Sequence, residues 1–394
     1  MSDQPEPTTA RRSPLHDEHV ALGAALTDFA GWQMPLRYGS DVAEHTAVRT
    51  AAGLFDLSHM GELWVTGPGA GDALDRALVG NLTALEPGRA RYTMICAPDG
   101  GVLDDLVVYR LSDDAADDAR GHRRYLVVAN ASNVDVVRDA LTERLAGRPD
   151  AVVADRSLET ALIAVQGPRA QEIVVGLVDD PAQADAVRAL KYYASVPATV
   201  AGVAALVART GYTGEDGFEL FVDAPAAAHV WQAVLAAGTP LGLVPAGLSA
   251  RDSLRLEAGM PLYGNELDTT TAPHDAGLGR VVRLDKVDDE GAPLPFVGRA
   301  ALEARAHATP SRTLVGLEGL SRRAARHGYA VVTPSGASVG TVTSGAPSPT
   351  LGHPVAMAYV TPEVSGPGTE LAVDVRGRHE PVRVVPLPFY RRPR

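Results

Sequence analysis

Gly100-Gly-Val-Leu-Asp-Asp-Leu-Val-Val-Tyr109 is the stretch of this chain whose reading decides most. It opens in the turn Pro98-Asp99-Gly100-Gly101, where glycine supplies the positive φ a tight hairpin needs, and continues as a strand from Val102 to Leu111. A partner strand, Arg91 to Ala97, precedes the turn. Side chains alternate along a strand, so one carboxylate of Asp104-Asp105 shares a face with Leu103, Val107 and Tyr109 while the other joins Leu106 and Val108. Aspartate is depleted in strands, and an unpaired buried carboxylate is costly or takes up a proton. Two readings stay open on spacing alone. Either one carboxylate has a ligand or catalytic role, or Asp104 bonds the turn and Asp105 caps a neighbouring strand.

Working outward, Leu63-Trp-Val-Thr-Gly67-Pro68-Gly-Ala70 and Ile163-Ala-Val-Gln-Gly167-Pro168-Arg-Ala170 each read as a strand, a glycine turn and a helix with proline at its first position. Their glycines lie 100 positions apart, which leaves a duplication of two α+β lobes as one of two open readings. Further strands are expected at Tyr125 to Ala129, after an acidic loop, and at Ala204 to Arg209 and Phe218 to Val222. Helices are expected over Ala226 to Ala237 and over Ala246 to Ala258, the latter closed by Gly259 with Pro261 beyond. From Asp285 to Pro295 the chain turns charged and Gly/Pro-containing, and a domain boundary is expected near 290. The six short strands that follow, between Arg312 and Val385, suggest a small barrel or sandwich.

Composition removes several function classes. The 394 residues suffice for two or three domains, and the single cysteine, Cys96, excludes an intrachain disulfide or a Cys-rich metal cluster. A formal net charge of −12 opposes a nucleic-acid partner. Of 36 basic residues only Lys191 and Lys286 are lysines, and no Gly-Lys pair occurs, which disfavours pyridoxal chemistry and removes a P-loop. Residues 1–13 read as a disordered polar tail, and the longest mostly apolar run, Val196 to Ala208, is shorter than the ~20 residues that cross a bilayer. A protein of the cytoplasm, with no membrane partner, is expected.

Two other segments carry possible chemistry. Gly211-Tyr-Thr-Gly-Glu-Asp-Gly-Phe-Glu219 offers glycines for close backbone approach, Tyr212 as a flat face, and acids as acceptors, or else it is a tight loop with solvated acids. In Ala250-Arg-Asp-Ser-Leu-Arg-Leu-Glu-Ala-Gly259, Arg251 and Arg255 stand on one helix face, a like-charge pairing that wants an acid such as Glu219, or an anionic ligand, between them, or else it is a helix surface braced by Asp252 and Glu257. Ser338 matches nucleophile-elbow spacing but sits in a hairpin, Gly67-Pro-Gly69-Ala-Gly71 lacks the third glycine of a dinucleotide fingerprint, and His16 and His19 lack a third metal ligand.

Together these pieces resemble the aminomethyltransferase, or T-protein, family of the glycine cleavage system. The shared segments are Phe29-Ala-Gly-Trp32-Gln-Met-Pro35, Phe55-Asp-Leu-Ser-His-Met60, Gly100-Gly-Val-Leu-Asp-Asp-Leu106, the Gly211 and Ala250 segments above, and Thr343-Ser-Gly-Ala-Pro-Ser-Pro349. They run in family order from about Leu15 to Tyr390. The resemblance implies an α+β, three-lobed fold: a folate-binding region of two α+β lobes over 14–290 and a C-terminal β-barrel over 291–394. It further implies transfer of a one-carbon unit from the aminomethyl-dihydrolipoyl arm of an H-protein to tetrahydrofolate as co-substrate, with no metal, flavin or pyridoxal phosphate. By the family motif the catalytic carboxylate is Asp105, and the folate contacts are Met60, Tyr92, Val107, Tyr109, Tyr212, Glu219, Arg251 and, as the C-terminal aromatic, Tyr390. The segment Val287 to Pro295 looks like a surface insertion relative to the family. A folate-dependent demethylase of a small methyl donor is the alternative enzyme reading. A folate-sensing protein of iron-sulfur assembly shares the resemblance but carries a Lys-Gly-Cys motif, whereas Cys96 here sits in Ile-Cys-Ala.

Overall fold

The computed structural model describes residues 10–112, 121–288 and 290–393, so residues 1–9 and most of the acidic loop before Tyr125 lie outside it. Near the N-terminus, β1 (Arg11–Arg12), β2 (Ala25–Phe29) and β3 (Trp32–Arg37) form a small sheet in the order β1-β3-β2. Residues 10–13 of the expected tail are therefore part of the fold, and the rest of it lies outside the described residues. Arg11 stacks over the Trp32 ring at 5.8 Å, and the Ser13 hydroxyl donates to the buried Asp56 carboxylate.

β4 (Ala52–Asp56) joins a sheet completed much later. The first lobe comprises β5 (Gly61–Gly67), β6 (Ala90–Cys96), β7 (Val102–Arg110), β8 (Arg123–Ala129) and β9 (Val152–Asp155), in the order β6-β7-β8-β5-β9. The second comprises β10 (Thr160–Gln166), β11 (Ser195–Val200), β12 (Val203–Ala208), β13 (Gly217–Asp223) and β14 (Leu243–Pro245), in the order β11-β12-β13-β10-β4-β14. Apart from the inserted β4 the two orders are the same. The turn after the first strand of each lobe repeats too: Gly67 has φ 128° and Gly167 φ 134°. Two residues on, the Gly69 N–H donates to Asp150 O and the Arg169 N–H to Ala51 O, each at 2.9 Å. The apolar run from Val196 to Ala208 is β11 and β12, folded at Ala201-Gly202, both of positive φ, as a two-residue hairpin turn prefers.

Each sheet buries one face on its own helices. In the first lobe Leu63, Val65, Leu106 and Val108 pack with Leu74 of the helix Ala70–Ala77 and Leu141 of the helix Val134–Arg144. In the second, Ile163 and Val165 pack with Trp231 of the helix Ala227–Gly238. The other faces meet each other, with Tyr109, Leu126 and Val128 against Leu162, Ala164 and Phe221. The cavity described below opens from this seam.

The last strands, β15 (Thr313–Gly319), β16 (Ala330–Val332), β17 (Ser338–Pro347), β18 (Pro354–Val360), β19 (Glu370–Asp374) and β20 (His379–Val385), close into a barrel. Phe296 and Leu302 pack with Met94, Cys96 and Val102 of the first lobe, so residues just after 290 belong to the lobe, and the packing boundary falls between the helix Arg299–His307 and Thr313. The barrel is latched to the second lobe at Glu257, on the helix Leu248–Glu257. Its fully buried carboxylate accepts from Arg49 Nη2 (2.8 Å), Thr350 Oγ1 (2.7 Å), the Thr350 N–H (3.2 Å) and the Ser348 hydroxyl. Burial alone would raise this carboxyl, but bonds from His45, Ser348 and Thr350 outweigh it and hold its pKa at about 2.

Candidate functional site

The hairpin turn forms as its two glycines require. Gly100 has φ 89°, and a Cβ on Gly101 would lie 1.9 Å from the Thr269 carbonyl oxygen. With the turn so fixed, β7 presents its aspartates to opposite sides. Asp104 is fully buried on the helix side, where it accepts from the Asn130 N–H (2.9 Å), Asn130 Nδ2 (2.8 Å) and Asn133 Nδ2 (2.7 Å). Burial, then the neighbouring Asp105, push its carboxyl up to about 7 against those bonds. Asp104 thus holds the start of the helix Val134–Arg144 through Asn130 and Asn133, in place of the hairpin turn.

Asp105 faces the seam, where a cavity of about 660 Å³ lies between the lobes. Its carboxylate accepts from Tyr92 Oη at 3.0 Å and Asn130 Nδ2 at 2.8 Å. Burial is the main cause that raises its pKa; the bonds from Tyr92 and Asn130 oppose it, and the charge of Glu266 adds to the rise. One side-chain amide, Asn130, therefore bridges both carboxylates. The Asn-Ala-Ser-Asn stretch directly after β8 was the available sequence signal for it.

On the second lobe, β13 turns Glu219 into the same cavity. Its Oε2 accepts from Tyr109 Oη at 3.1 Å and from the Thr210 hydroxyl, while among the described residues no side chain bonds its other oxygen. Gly211 of the Gly-rich loop before it lines the cavity, and packing sets a second demand on the loop's glycines. A Cβ on Gly211 or Gly217 would collide with Gln166, whose Nε2 donates to Thr210 O at 3.0 Å and whose Oε1 accepts from Thr213 Oγ1 at 3.0 Å. Tyr212, from that loop, lines the cavity and donates to Pro261 O.

The expected arginine pair separates. Arg255, itself buried, turns from the cavity and donates to Glu266 Oε2 (2.9 Å), the exposed Asp252 Oδ1 (2.8 Å) and Ser344 Oγ of the barrel (2.7 Å). Arg251 lines the cavity, with its guanidinium 4.7 Å over the Tyr212 ring, and forms no ion pair among the described residues. Burial lowers its pKa from the ordinary arginine value. The acids supplied for Arg255 are Asp252, as the helix-surface reading has it, and Glu266, which the sequence reading did not identify; Glu219 and Arg251 line the cavity.

Met60, Tyr92, Val107 and Tyr109 also line the cavity. Tyr390 does not. Its ring lies 4.0 Å from the Arg49 guanidinium and its N–H donates to Glu257 O at 2.8 Å, so it packs behind the wall at the barrel latch. The sequence reading missed His59, Tyr193 and the segment from Met260 to Tyr263, all of which line the cavity. Tyr193 holds a φ of 59°, an unusual conformation for a tyrosine that nothing in its local sequence announces. Among the described residues no group of three or more His, Cys, Asp and Glu could hold a metal ion, and no helix is long and apolar enough to cross a membrane.

The comparisons agree with this geometry. Residues 15–286 match the GCVT N-terminal domain, and residues 312–391 match the glycine cleavage T-protein C-terminal barrel domain. An aminomethyltransferase of Streptomyces coelicolor is 60% identical over 98% of this chain and 99% of its own length. One from Bacillus subtilis is 43% identical over 97% and 99% respectively. The crystal structure of glycine cleavage system aminomethyltransferase T from Bartonella henselae superposes with a TM-score of 0.85 at 33% identity, over 97% of this chain and 99% of that one. The chain belongs to the aminomethyltransferases, the T-protein family of the glycine cleavage system.

Proposed function

We propose that this chain takes the methylene carbon from aminomethyl-dihydrolipoyl H-protein and delivers it to tetrahydrofolate, releasing ammonia and forming 5,10-methylenetetrahydrofolate in the cytoplasm. The observation that supports this most is one cavity that gathers Asp105, Glu219 and Arg251, where among the described residues one Glu219 oxygen is free and Arg251 has no anionic partner. Its volume of about 660 Å³ is in the range of small-molecule sites.

The chemistry suits these groups. Loss of ammonia from an aminomethyl thioether leaves a positively charged carbon, which a fixed carboxylate stabilises in a cavity of low polarity. The two folate nitrogens then bond that carbon in turn. Of the two N–H protons they release, one completes ammonia and one completes the thiol of the returned dithiol. Asp105, pushed toward protonation by burial, is suited to accept and pass on a proton at this point. Tyr92 and Asn130 hold its oxygens in place. The free oxygen of Glu219 suits the donor pair of the pterin amino-pyrimidine edge, and Arg251 suits an oxygen acceptor. Met60 and Val107 supply apolar wall.

The test is turnover by the purified chain. Aminomethylated H-protein with tetrahydrofolate is expected to give ammonia and methylenetetrahydrofolate in equal amounts, with no turnover of sarcosine or dimethylglycine. Demethylation of either free amine at a comparable rate would replace this reading with that of a folate-dependent demethylase.

A further inference from the structure

His59 is an imidazole in the cavity wall that the folate reading leaves unused. It is 2% exposed, and among the described residues neither ring nitrogen has a hydrogen-bond partner. Nδ1 is sealed inside the protein, which leaves Nε2 to address the cavity. The ring is held edge-on by Phe29 at 5.4 Å between centroids. Of the two acids three positions away, Asp56 is already occupied by His19 (2.8 Å), the Ser13 hydroxyl and the Ser58 N–H (2.9 Å), and Glu62 forms no hydrogen bond among the described residues. Burial, with the Arg251 charge assisting and Asp56 opposing, lowers the His59 pKa to about 4, so the ring is neutral at physiological pH.

A neutral imidazole carries one N–H and one lone pair. An orphaned buried N–H is rarer than an under-used acceptor, which puts the proton on Nε2, toward the cavity. Arg251 on the same cavity is donor-only and forms no ion pair among the described residues. A ligand group reaching both must offer a hydrogen-bond acceptor, and a carbonyl or carboxylate oxygen is the kind that suits a guanidinium.

We propose that His59 Nε2–H and the Arg251 guanidinium form a paired-donor subsite for one oxygen acceptor of the bound folate, a ring carbonyl or a tail carboxylate. The proposal rests on the folate reading above, and its test separates the two. Calorimetry on the wild type establishes whether tetrahydrofolate binds at all; no binding overturns the folate reading and the subsite with it. If it binds, His59→Leu is expected to weaken tetrahydrofolate roughly fivefold to tenfold, and His59→Gln, which restores a neutral N–H donor, to recover most of that loss. A reduced pterin without the benzoylglutamate tail distinguishes the sources: an equal loss assigns the ring carbonyl, and a loss confined to the full folate assigns the carboxylate. A dissociation constant for His59→Leu within twofold of wild type overturns the subsite. If His59→Leu does not fold, ¹⁵N-imidazole spectra of the wild type decide: a folate-dependent shift of the His59 Nε2 signal supports the subsite, and an unchanged signal overturns it.

Discussion

The two lobes share a strand order and a turn, yet they bring different chemistry to the cavity between them. Their registers align residue by residue. In the first lobe Tyr109 pairs with Leu126 and Leu126 with Trp64; in the second, Ala208 pairs with Glu219 and Glu219 with Ala164. Counting from those pairs, Asp105 corresponds to Ala204, Glu219 to Leu126, and the buried Glu62 to Leu162. Each lobe thus carries its cavity acid where the other has an apolar residue. The repeated framework sets backbone geometry; single side chains, one lobe at a time, set the chemistry.

The largest expected effect comes from removing the first lobe's charge. Under the proposed function Asp105→Asn should lower turnover by at least about a hundredfold, because an amide keeps the shape but neither stabilises a cation nor takes a proton. Asp104→Asn should lower it far less, since Asp104 holds backbone on the other side of the strand. Equal losses in steady-state assays would erase the distinction between the two carboxylates.

The next difference lies after the last strand of each lobe. β9 runs directly toward β10, whereas β14 leads into the helix that carries Glu257 and the barrel. Glu257→Gln should lower stability by about 3 kcal/mol at pH 7 in denaturant unfolding, because Arg49 and His45 lose a buried acid. The carboxyl's pKa is depressed in the fold, so its contribution is present above the unfolded value of about 4.3 and disappears as pH falls toward about 2. A variant whose deficit persists unchanged at pH 2.5 would contradict the latch.

A smaller effect is expected at Glu62, fully buried with neither oxygen bonded among the described residues. Burial raises its pKa far above the ordinary value, with Asp155 adding to the rise, so folding takes up a proton and this residue's contribution falls as pH rises above about 4.3. Glu62→Leu, which copies Leu162, should therefore stabilise by about 1–2 kcal/mol, and more at pH 8 than at pH 5. Thermal melts at the two pH values check both the sign and the trend.

How much of this was legible in the sequence follows from what kind of signal each feature leaves. Alternation put Asp104 and Asp105 on opposite faces, with the choice of Asp105 coming from the resemblance, and glycine spacing exposed the repeated turn at Gly67 and Gly167, because alternation and turn depend only on local backbone geometry. The barrel strands were legible for the same reason. Arg251 and Arg255 could not be told apart, since their divergence depends on Glu266 and Ser344, one 11 and the other 89 residues from Arg255. Tyr390 was placed at the cavity by resemblance, and its position behind the wall is set by Arg49, far away in sequence. His59 gave no signal because a lone histidine in an apolar stretch usually has a structural partner, and only the fold shows that this one has none among the described residues.

The most direct measurement is a crossed one, with turnover and folate affinity determined for Asp105→Asn and Glu219→Gln side by side. If the first lobe supplies the reacting carboxylate and the second grips the folate, Asp105→Asn loses kcat with its tetrahydrofolate dissociation constant nearly unchanged. Glu219→Gln instead weakens tetrahydrofolate roughly tenfold or more while retaining most of its kcat at saturating folate. The same pattern of losses in both variants would contradict the division of labour between the lobes.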